Sequence, residues 1–210
     1  MYLGGLCFIT DQNASSSLLF GDMTRKVLKS GVQWIQHRDK QSSRRQIYQN
    51  SVILRHITKE ARAVLTINDY ADIALSANAD GVHLGQDDLP LREARKIMGE
   101  DAIIGISTHS PKQAVEAERD GADYIGFGPI FHTGTKDAGR PKGIDLLRKI
   151  KRDIGIPVVA IGGIKLENLV SVLETGVDAV AVASAILKGD AQENAKNFMD
   201  IINSYDRLHI

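Results

Sequence analysis

The segment "PVVAIGGIKLENLVSVLETGVDAVAVASAI", residues 157–186, shows most clearly how the chain folds. Two short valine-rich runs, "PVVAIG" and "DAVAVA", flank the stretch "LENLVSVLETG", in which apolar residues recur every three or four positions. Runs this apolar predict strands that are buried on both faces, as in a parallel sheet covered by helices, and the intervening periodicity predicts a helix. The segment is therefore predicted to be a strand–helix–strand unit.

The same alternation extends along the whole chain of 210 residues. The earlier strands are predicted at "LCFIT", "VQWIQH", "AVLTIN", "DGVHL", "AIIGIS" and "DYIGFG". The other helices are predicted at "DMTRKVLKS", "RRQIYQNSVILRHITKE", "ADIALSAN", "LREARKIMG", "PKQAVEAERDG", "IDLLRKIKRD" and "AQENAKNFMDIINSY". Eight strands alternating with eight helices predict a single (β/α)₈ TIM barrel over residues 1–210, with no linker to divide it. The alternative is an open doubly wound sheet, but "TDQNASSS" lacks the glycine fingerprint typical of that fold.

Three stretches, "ANADGVHLG", "RDGADYIGFG" and "ETGVDAVAVAS", each place a small residue and an aspartate before a strand. Glycine that ends a helix is sufficient to explain this repetition. It supports the barrel and implies nothing more.

Composition narrows the class of protein. The formal net charge of zero argues against general binding of nucleic acid, which usually requires a strongly basic domain. No run reaches the roughly 18 apolar residues of a membrane span, and the N-terminus does not resemble a signal peptide. Cys7, the single cysteine, excludes an intramolecular disulfide and is expected to be a packed core thiol. We therefore expect a cytoplasmic protein with no membrane and no nucleic-acid partner.

Because the site of a (β/α)₈ barrel lies at the C-terminal ends of its strands, the residues that close each strand matter most. After the second strand, "QHRDK" places Gln36, Arg38 and Lys40 at alternate positions, which aims an amide and two cations into the barrel mouth. Two unpaired cations are costly there, so an anionic ligand or a carboxylate partner is expected. Solvated surface charge is the alternative.

The third and fourth strands end in acidic residues. "INDY" supplies Asn68 and Asp69, and "HLGQDD" supplies Gln86, Asp87 and Asp88. Carboxylates from neighbouring strand ends suit a hard divalent cation that also binds phosphate oxygens. Each aspartate could instead cap the helix that follows, which would account for one aspartate in each loop.

The fifth strand ends at Ser107, Thr108 and His109, and Ser110 is the expected N-cap of the next helix, which begins with proline. His109 could act as a general acid or base. A hydrogen-bonding or merely exposed histidine is the favoured interpretation.

The remaining strand ends suggest phosphate recognition. The loop "FHTGTKDAGRPKG", residues 131–143, brings Thr133, Thr135 and Lys136 close to glycines that permit close approach. "AIGGI" after the seventh strand and "VASAI" after the eighth are placed where barrels often bind a phosphate group. Two anion-receptive regions result, one suited to a metal-bound pyrophosphate and the other to a single phosphate.

With these residues the chain closely resembles the thiamine-phosphate synthase family. The resemblance runs from "FITD" through "QHRDK", "IND", "DGVHLGQDD", "IGISTHS", "GADYIGFGPIFHTGTK" and "PVVAIGGI" to "VASAI". It implies a (β/α)₈ barrel that couples hydroxymethylpyrimidine diphosphate to hydroxyethylthiazole phosphate and releases pyrophosphate with Mg²⁺.

The resemblance also implies roles for individual residues. The pyrimidine diphosphate would be held by Gln36, Arg38, Lys40, Asn68, Ser107 and Lys136, with His37 and Asp39 also among the substrate-binding residues. Mg²⁺ would be bound by Asp69 and Asp88, and the thiazole phosphate by Thr133, Gly134, Thr135, Gly163, Ala183 and Ser184. The catalytic residues would be Lys136, Arg38, Lys40 and Ser107. Ala183 stands where the family often has Val or Ile, and His132 where it often has Pro.

The family mechanism is dissociative, so catalysis would fall on electrostatic stabilisation of the departing pyrophosphate. One alternative is a thiazole tautomerase on the same barrel, with His109 as its acid or base. A second alternative is a non-catalytic phosphate-binding barrel. A phosphosugar isomerase is the least favoured of the alternatives. The oligomeric state stays open.

Overall fold

The computed structural model describes residues 3–11, 17–134 and 139–209, and its eight parallel strands close into a barrel in sequence order. The predicted (β/α)₈ TIM barrel is therefore confirmed. The strands are β1 (Gly5–Asp11), β2 (Trp34–Arg38), β3 (Val64–Asn68), β4 (Gly81–Leu84), β5 (Ile103–Thr108), β6 (Tyr124–Phe127), β7 (Val158–Ile161) and β8 (Ala179–Val182).

Helices follow the strands and cover the outside of the barrel. They are α1 (Ser17–Lys29), α2 (Arg44–Glu60), α3 (Ala71–Ser76), α4 (Leu91–Met98), α5 (Pro111–Arg119), α6 (Gly143–Asp153), α7 (Leu166–Leu173), α8 (Ser184–Leu187) and α9 (Ala191–His209). Among these described helices, none combines the length and apolarity needed to cross a bilayer.

The helix boundaries match the sequence pattern closely, and the differences have physical causes. Helix α2 has its predicted bounds, with Ser43 as the N-cap whose side chain accepts a hydrogen bond from the backbone N–H of Gln46. Helix α1 begins earlier than the predicted stretch, and Phe20 in its first turns is fully buried in the core. The short helix α8, absent from the predicted set, follows directly after β8.

The barrel has an outer and an inner core. The outer core fills the space between sheet and helices with residues such as Ile35, Leu65 and Leu147. A smaller inner cluster, which includes Cys7, Trp34 and Tyr124, fills the barrel itself, and the thiol is buried as expected. Glycine leaves room for the Tyr124 ring, because a Cβ on Gly105 would lie 2.0 Å from it.

The repeated aspartate of the sequence forms the same contact three times at the N-terminal ends of the strands. Asp80 donates its backbone N–H to the carbonyl of Leu65 (2.9 Å), and its carboxylate accepts the N–H of the same residue (2.7 Å). The carboxylate also pairs with Arg55 of α2 at 2.7 Å. We call this arrangement an aspartate clamp, because one side chain ties a helix and two neighbouring strands together.

The other two clamps lie at equivalent places two and four strands further round the barrel. Asp123 bonds Ile104 at both backbone groups and pairs with Arg95 (2.6 Å). Asp178 bonds Val158 in the same way, and Lys151 (2.7 Å) supplies the cation. The sequence repetition therefore has a structural cause beyond the glycine that ends a helix.

Replacing a clamp aspartate by alanine is expected to destabilise the barrel base, because it leaves a strand N–H and a partly buried cation without their acceptor. Asp80→Ala and Asp123→Ala should each lower the free energy of unfolding by about 1–3 kcal/mol, measured by urea denaturation. Asp200→Ala removes an exposed carboxylate that pairs with Lys196 within α9, and should cost no more than about 0.5 kcal/mol. Equal losses in all three variants would contradict the clamp.

Candidate active site

The ends of β2, β3 and β4 bring opposite charges together at one sector of the barrel rim. The carboxyls of Asp69 and Asp88 lie within hydrogen-bonding reach of each other. The Lys40 ammonium is 3.3 Å from Asp69, and the side-chain amide of Asn68 donates to the same aspartate. The structure thus assembles the predicted metal-binding pair next to a predicted cation. We call Lys40, Asn68, Asp69 and Asp88 the rim cluster.

Backbone geometry holds both carboxylates in place. Asp69 has a φ of 68°, a left-handed conformation that is unusual for a residue other than glycine, and its N–H donates to the carbonyl of His83 (2.8 Å). Asp88 accepts the backbone N–H of Gly85 at 2.6 Å. Neither aspartate caps a helix: the N-cap positions of α3 and α4 are Tyr70 and Pro90. The capping alternative is therefore wrong for both.

Burial, together with the hydrogen bond and negative charge of Asp88, raises the pKa of Asp69 to about 6, although Lys40 opposes the shift. Two carboxylates this close repel one another, and a divalent cation between them would relieve the repulsion. In the described ranges no three His, Cys, Asp or Glu side chains form a metal-binding group. The donor set therefore fits a hard cation that completes its coordination with water and ligand oxygens.

The "QHRDK" stretch divides its side chains between the two faces of β2, as strand periodicity predicts. Gln36 lines a small cavity inside the barrel together with Trp34. Arg38 closes the strand in a half-buried position. A half-buried cation at a strand end suits an anionic ligand.

His37 and Asp39 point elsewhere, so their predicted role in substrate binding gains no support from their positions. His37 packs against Phe20 of α1, with ring centroids 5.6 Å apart, and burial lowers its pKa to about 4. The Asp39 carboxylate accepts the backbone N–H groups of Gln41 and Ser42, both at 3.0 Å. These residues are committed to the outer layer and to the turn after β2.

Ser107 lies at the end of a polar network that the sequence patterns did not identify. Its hydroxyl is 2.8 Å from Nε2 of the buried His83, whose Nδ1 is 2.9 Å from the Tyr124 hydroxyl. Burial lowers the pKa of His83 to about 4 and raises the pKa of Tyr124 well above its usual value. Histidine in "DGVHL" and tyrosine in "DYIGFG" lie within apolar strand runs, where periodicity signals only burial.

His109 has a structural partner. Its Nδ1 is 2.8 Å from the carbonyl of Gly128, and its backbone N–H donates to Gln113. Ser110 is the N-cap of α5, followed by Pro111, as predicted. The hydrogen-bonding interpretation of His109 is confirmed.

The two glycines after β7 let the loop after β6 run along the strand end. Gly162 and Gly163 have φ values of 97° and 68°, and a Cβ on Gly163 would lie 2.6 Å from the carbonyl oxygen of His132. The backbone N–H of Phe131 donates to Gly162 (3.0 Å). The close approach at these glycines is therefore to Phe131 and His132 of the protein's own loop, and Thr133 and Gly134 come next in that loop.

The last predicted site residues are only partly described. Ala183 is the N-cap of α8, and Ser184 begins that helix with an exposed side chain. Thr135 and Lys136 lie outside the described residues, so their predicted roles stay predictions.

Comparison with known proteins decides the family. The sequence model of thiamine monophosphate synthase matches residues 6–186. The chain belongs to the thiamine monophosphate synthase family. It is 47% identical over 191 residues to the thiamine-phosphate synthase of Clostridium novyi (strain NT), covering 90% of this chain and 94% of that protein. Against the same enzyme of Methanosarcina barkeri (strain Fusaro / DSM 804) the identity is 43% over 196 residues, or 92% and 88% of the two chains.

A solved structure shows the same architecture. The thiamine phosphate pyrophosphorylase from Pyrococcus furiosus superposes with a TM-score of 0.88 at 39% identity, covering 95% of this chain and 96% of that one. Family membership makes this protein a transferase of thiamine biosynthesis, as the resemblance implied.

Burial of the Asp69 carboxyl and its repulsion by Asp88 should together be visible as a pH-dependent cost to stability. The Asp69 carboxyl has a pKa of 3.8 in the unfolded chain and about 6 in the metal-free fold. The cost that its charge imposes on stability is therefore absent below pH 4 and complete above about pH 6. Asp69→Asn should therefore raise the free energy of unfolding by about 1–2 kcal/mol at pH 7 and change it little at pH 4.

Asparagine tolerates the left-handed backbone, so strain does not confound this comparison. Chemical denaturation of both proteins in the presence of a chelator measures the difference. A wild type that is more stable than Asp69→Asn at pH 7 would contradict the predicted cost of the charged carboxyl.

Proposed function

We propose that this protein couples hydroxymethylpyrimidine diphosphate to hydroxyethylthiazole phosphate to form thiamine phosphate. The bond between the pyrimidine methylene carbon and the diphosphate oxygen breaks, and a bond from the thiazole nitrogen to the same carbon forms. Pyrophosphate leaves with the bonding electron pair. Family membership and the relatives named thiamine-phosphate synthase support this proposal.

The observation that carries it is the arrangement of charge at the rim. Asp69 and Asp88 come from two neighbouring strand ends and Lys40 lies against one of them, while Arg38 closes the adjacent strand. A diphosphate bound here would meet fixed positive charge on one side and the paired carboxylates on the other. Such a set has an obvious use in binding a metal-complexed diphosphate and little use in a tautomerisation.

Mg²⁺ fits this donor set, and Asp69 and Asp88 would hold it. When bound, Mg²⁺ neutralises charge on a diphosphate and so makes it a better leaving group. The carboxylates are buried enough to repel each other and exposed enough to leave room for water and phosphate oxygens. This is the coordination that a hard divalent ion prefers.

The chain's own residues would then act by position and charge. Arg38 and Lys40 stabilise the negative charge that develops as the diphosphate departs, which is the main barrier in a dissociative substitution. Lys136 is proposed to add a third cation from the loop after β6. Ser107 lies on the neighbouring β5 end, where its hydroxyl can bond the same substrate. The step requires no protein nucleophile, since the leaving group departs before the thiazole nitrogen attacks.

The thiazole phosphate is proposed to bind at the other side of the mouth. Gly163 lies against Phe131 and His132 of the loop after β6, Thr133 and Gly134 come next in that loop, and Ala183 and Ser184 follow the neighbouring β8. Thr135 is proposed to complete this site. Barrels commonly bind a phosphate after their seventh and eighth strands, through backbone N–H groups.

The tautomerase alternative is weaker because it gives the rim carboxylates and cations no role, although Nε2 of His109 is available. Nδ1 of His109 bonds the Gly128 carbonyl, which anchors the ring to the protein. A non-catalytic barrel would leave the repelling carboxylate pair without a purpose.

One assay tests the proposed reaction. Purified protein is incubated with both phosphorylated heterocycles and Mg²⁺, and thiamine phosphate and pyrophosphate are measured; parallel reactions contain a chelator or lack one substrate. Equal amounts of both products, formed only in the complete mixture, are expected. Metal-independent conversion of a thiazole carboxylate phosphate, with no pyrophosphate, would indicate the tautomerase instead.

Loss of one carboxylate of the pair should weaken the metal. Asp88→Asn keeps an oxygen that can accept the Gly85 N–H but removes the charge, so the Mg²⁺ concentration for half-maximal activity should rise roughly tenfold or more. The neighbouring Asp87 is exposed, and Asp87→Asn is the matched control with an unchanged titration. Identical curves for both variants would remove Asp88 from the metal site.

A negative charge at the proposed thiazole phosphate site should act selectively. Ser184→Asp places a carboxylate where the phosphate is proposed to bind, so KM for the thiazole phosphate should rise roughly tenfold or more by like-charge repulsion. KM for the pyrimidine diphosphate should change far less. Ser184→Asn, of the same shape without the charge, is the control, and an equal rise for both substrates would contradict two separate sites.

A further inference from the structure

Three side chains, Tyr124, His83 and Ser107, each from a different strand, form a continuous hydrogen-bonded chain inside the barrel. Near its buried end, the Trp34 indole N–H donates to the Thr66 hydroxyl (3.1 Å). Tyr124 bonds Nδ1 of His83 (2.9 Å), and Nε2 of His83 bonds the Ser107 hydroxyl (2.8 Å). Because Ser107 stands at the rim, the chain connects the buried interior to the proposed diphosphate site.

The donor and acceptor strengths of the groups favour one direction for this chain. A phenol O–H is a better donor than acceptor, and an imidazole nitrogen that carries no hydrogen is a good acceptor. The favoured direction is therefore that Tyr124 donates its hydroxyl hydrogen to Nδ1 of His83.

The same logic determines the histidine tautomer. When Nδ1 accepts from Tyr124, a neutral imidazole carries its hydrogen on Nε2, and that hydrogen is donated to the Ser107 oxygen. The hydroxyl hydrogen of Ser107 is then not needed by the protein network. It is free to be donated to a ligand.

We propose that Tyr124 and His83 are positioning residues that keep the Ser107 hydroxyl as a hydrogen-bond donor toward the substrate. This inference rests on the proposed function, since Ser107 is taken to contact the pyrimidine diphosphate. A donor suits an anion whose negative charge grows as its bond breaks. In the opposite tautomer, Ser107 would donate to the imidazole and present only lone pairs to that anion.

Packing holds the network in one arrangement. The His83 and Tyr124 rings stack with centroids 5.4 Å apart, and Trp34 meets Tyr124 edge-on at 5.0 Å. Glycines make the space, because a Cβ on Gly105 would overlap the Tyr124 ring and one on Gly126 would lie 3.1 Å from the His83 ring. Neither ring can turn over without disturbing the inner core.

Nuclear magnetic resonance tests the tautomer without any substrate. In protein labelled with ¹⁵N-histidine, the ring nitrogens of His83 are identified as the pair of signals lost in His83→Gln. The wild type should show the neutral form with hydrogen on Nε2, and Ser107→Ala should keep that form, since Tyr124 still donates. Tyr124→Phe should shift the ring toward the form with hydrogen on Nδ1.

A wild-type ring with hydrogen on Nδ1, or on both nitrogens, would overturn the proposal. An unchanged tautomer in Tyr124→Phe would overturn the role of Tyr124. Because this measurement involves no catalysis, it stands or falls separately from the proposed reaction.

A double-mutant cycle tests whether Tyr124 acts through Ser107. Ser107→Ala is expected to lower kcat roughly 100-fold and Tyr124→Phe roughly tenfold, because each removes or misdirects one donor in the transition state. In the Ser107→Ala background, Tyr124→Phe should lower kcat less than about twofold further. Tyr48→Phe, at an exposed tyrosine of α2, is the matched control with unchanged kcat. Fully additive losses would show that Tyr124 has a merely structural role and would overturn the proposal.

Discussion

Repulsion between two carboxylates at the barrel rim is the interaction on which the proposed chemistry depends. Asp69 and Asp88 are brought within hydrogen-bonding reach by neighbouring strands, and Asp69 adopts a backbone conformation that few residues other than glycine tolerate. The fold thus accepts local strain and unfavourable charge at one place. That cost is understandable if a divalent cation occupies the site during turnover, because the cation would attract both carboxylates and also bind the oxygens of a diphosphate.

Stability is concentrated at the opposite end of the same strands. The aspartate clamps pair every carboxylate with a cation and a backbone N–H, so no charge at these positions lacks a partner. Aspartate is therefore used in two contrasting ways within one barrel. At the base each carboxylate has its own cation and holds strands together, whereas at the rim two carboxylates lie side by side with one lysine and suit a ligand cation.

The barrel interior carries buried polar groups where most barrels of this size pack apolar layers. Trp34 donates to Thr66, and Tyr124 and His83 bond each other, so burial of these groups carries little penalty. The stacked His83 and Tyr124 rings hold the network in place, so it can transmit orientation. The last member of this network is the Ser107 hydroxyl at the rim.

The sequence by itself determined the eight strands, most helix starts and the strand ends where the charged residues gather, because burial patterns and turn residues are local properties. It also placed Gln36 and His37 on opposite faces of one strand, since strand periodicity is local too. Only the tertiary structure decided which residues meet. That Asp69 repels Asp88, that His83 lies between Tyr124 and Ser107, and that three scattered aspartates form equivalent clamps all depend on contacts between different strands. Closure of the barrel sets those contacts, and no spacing along one strand encodes them.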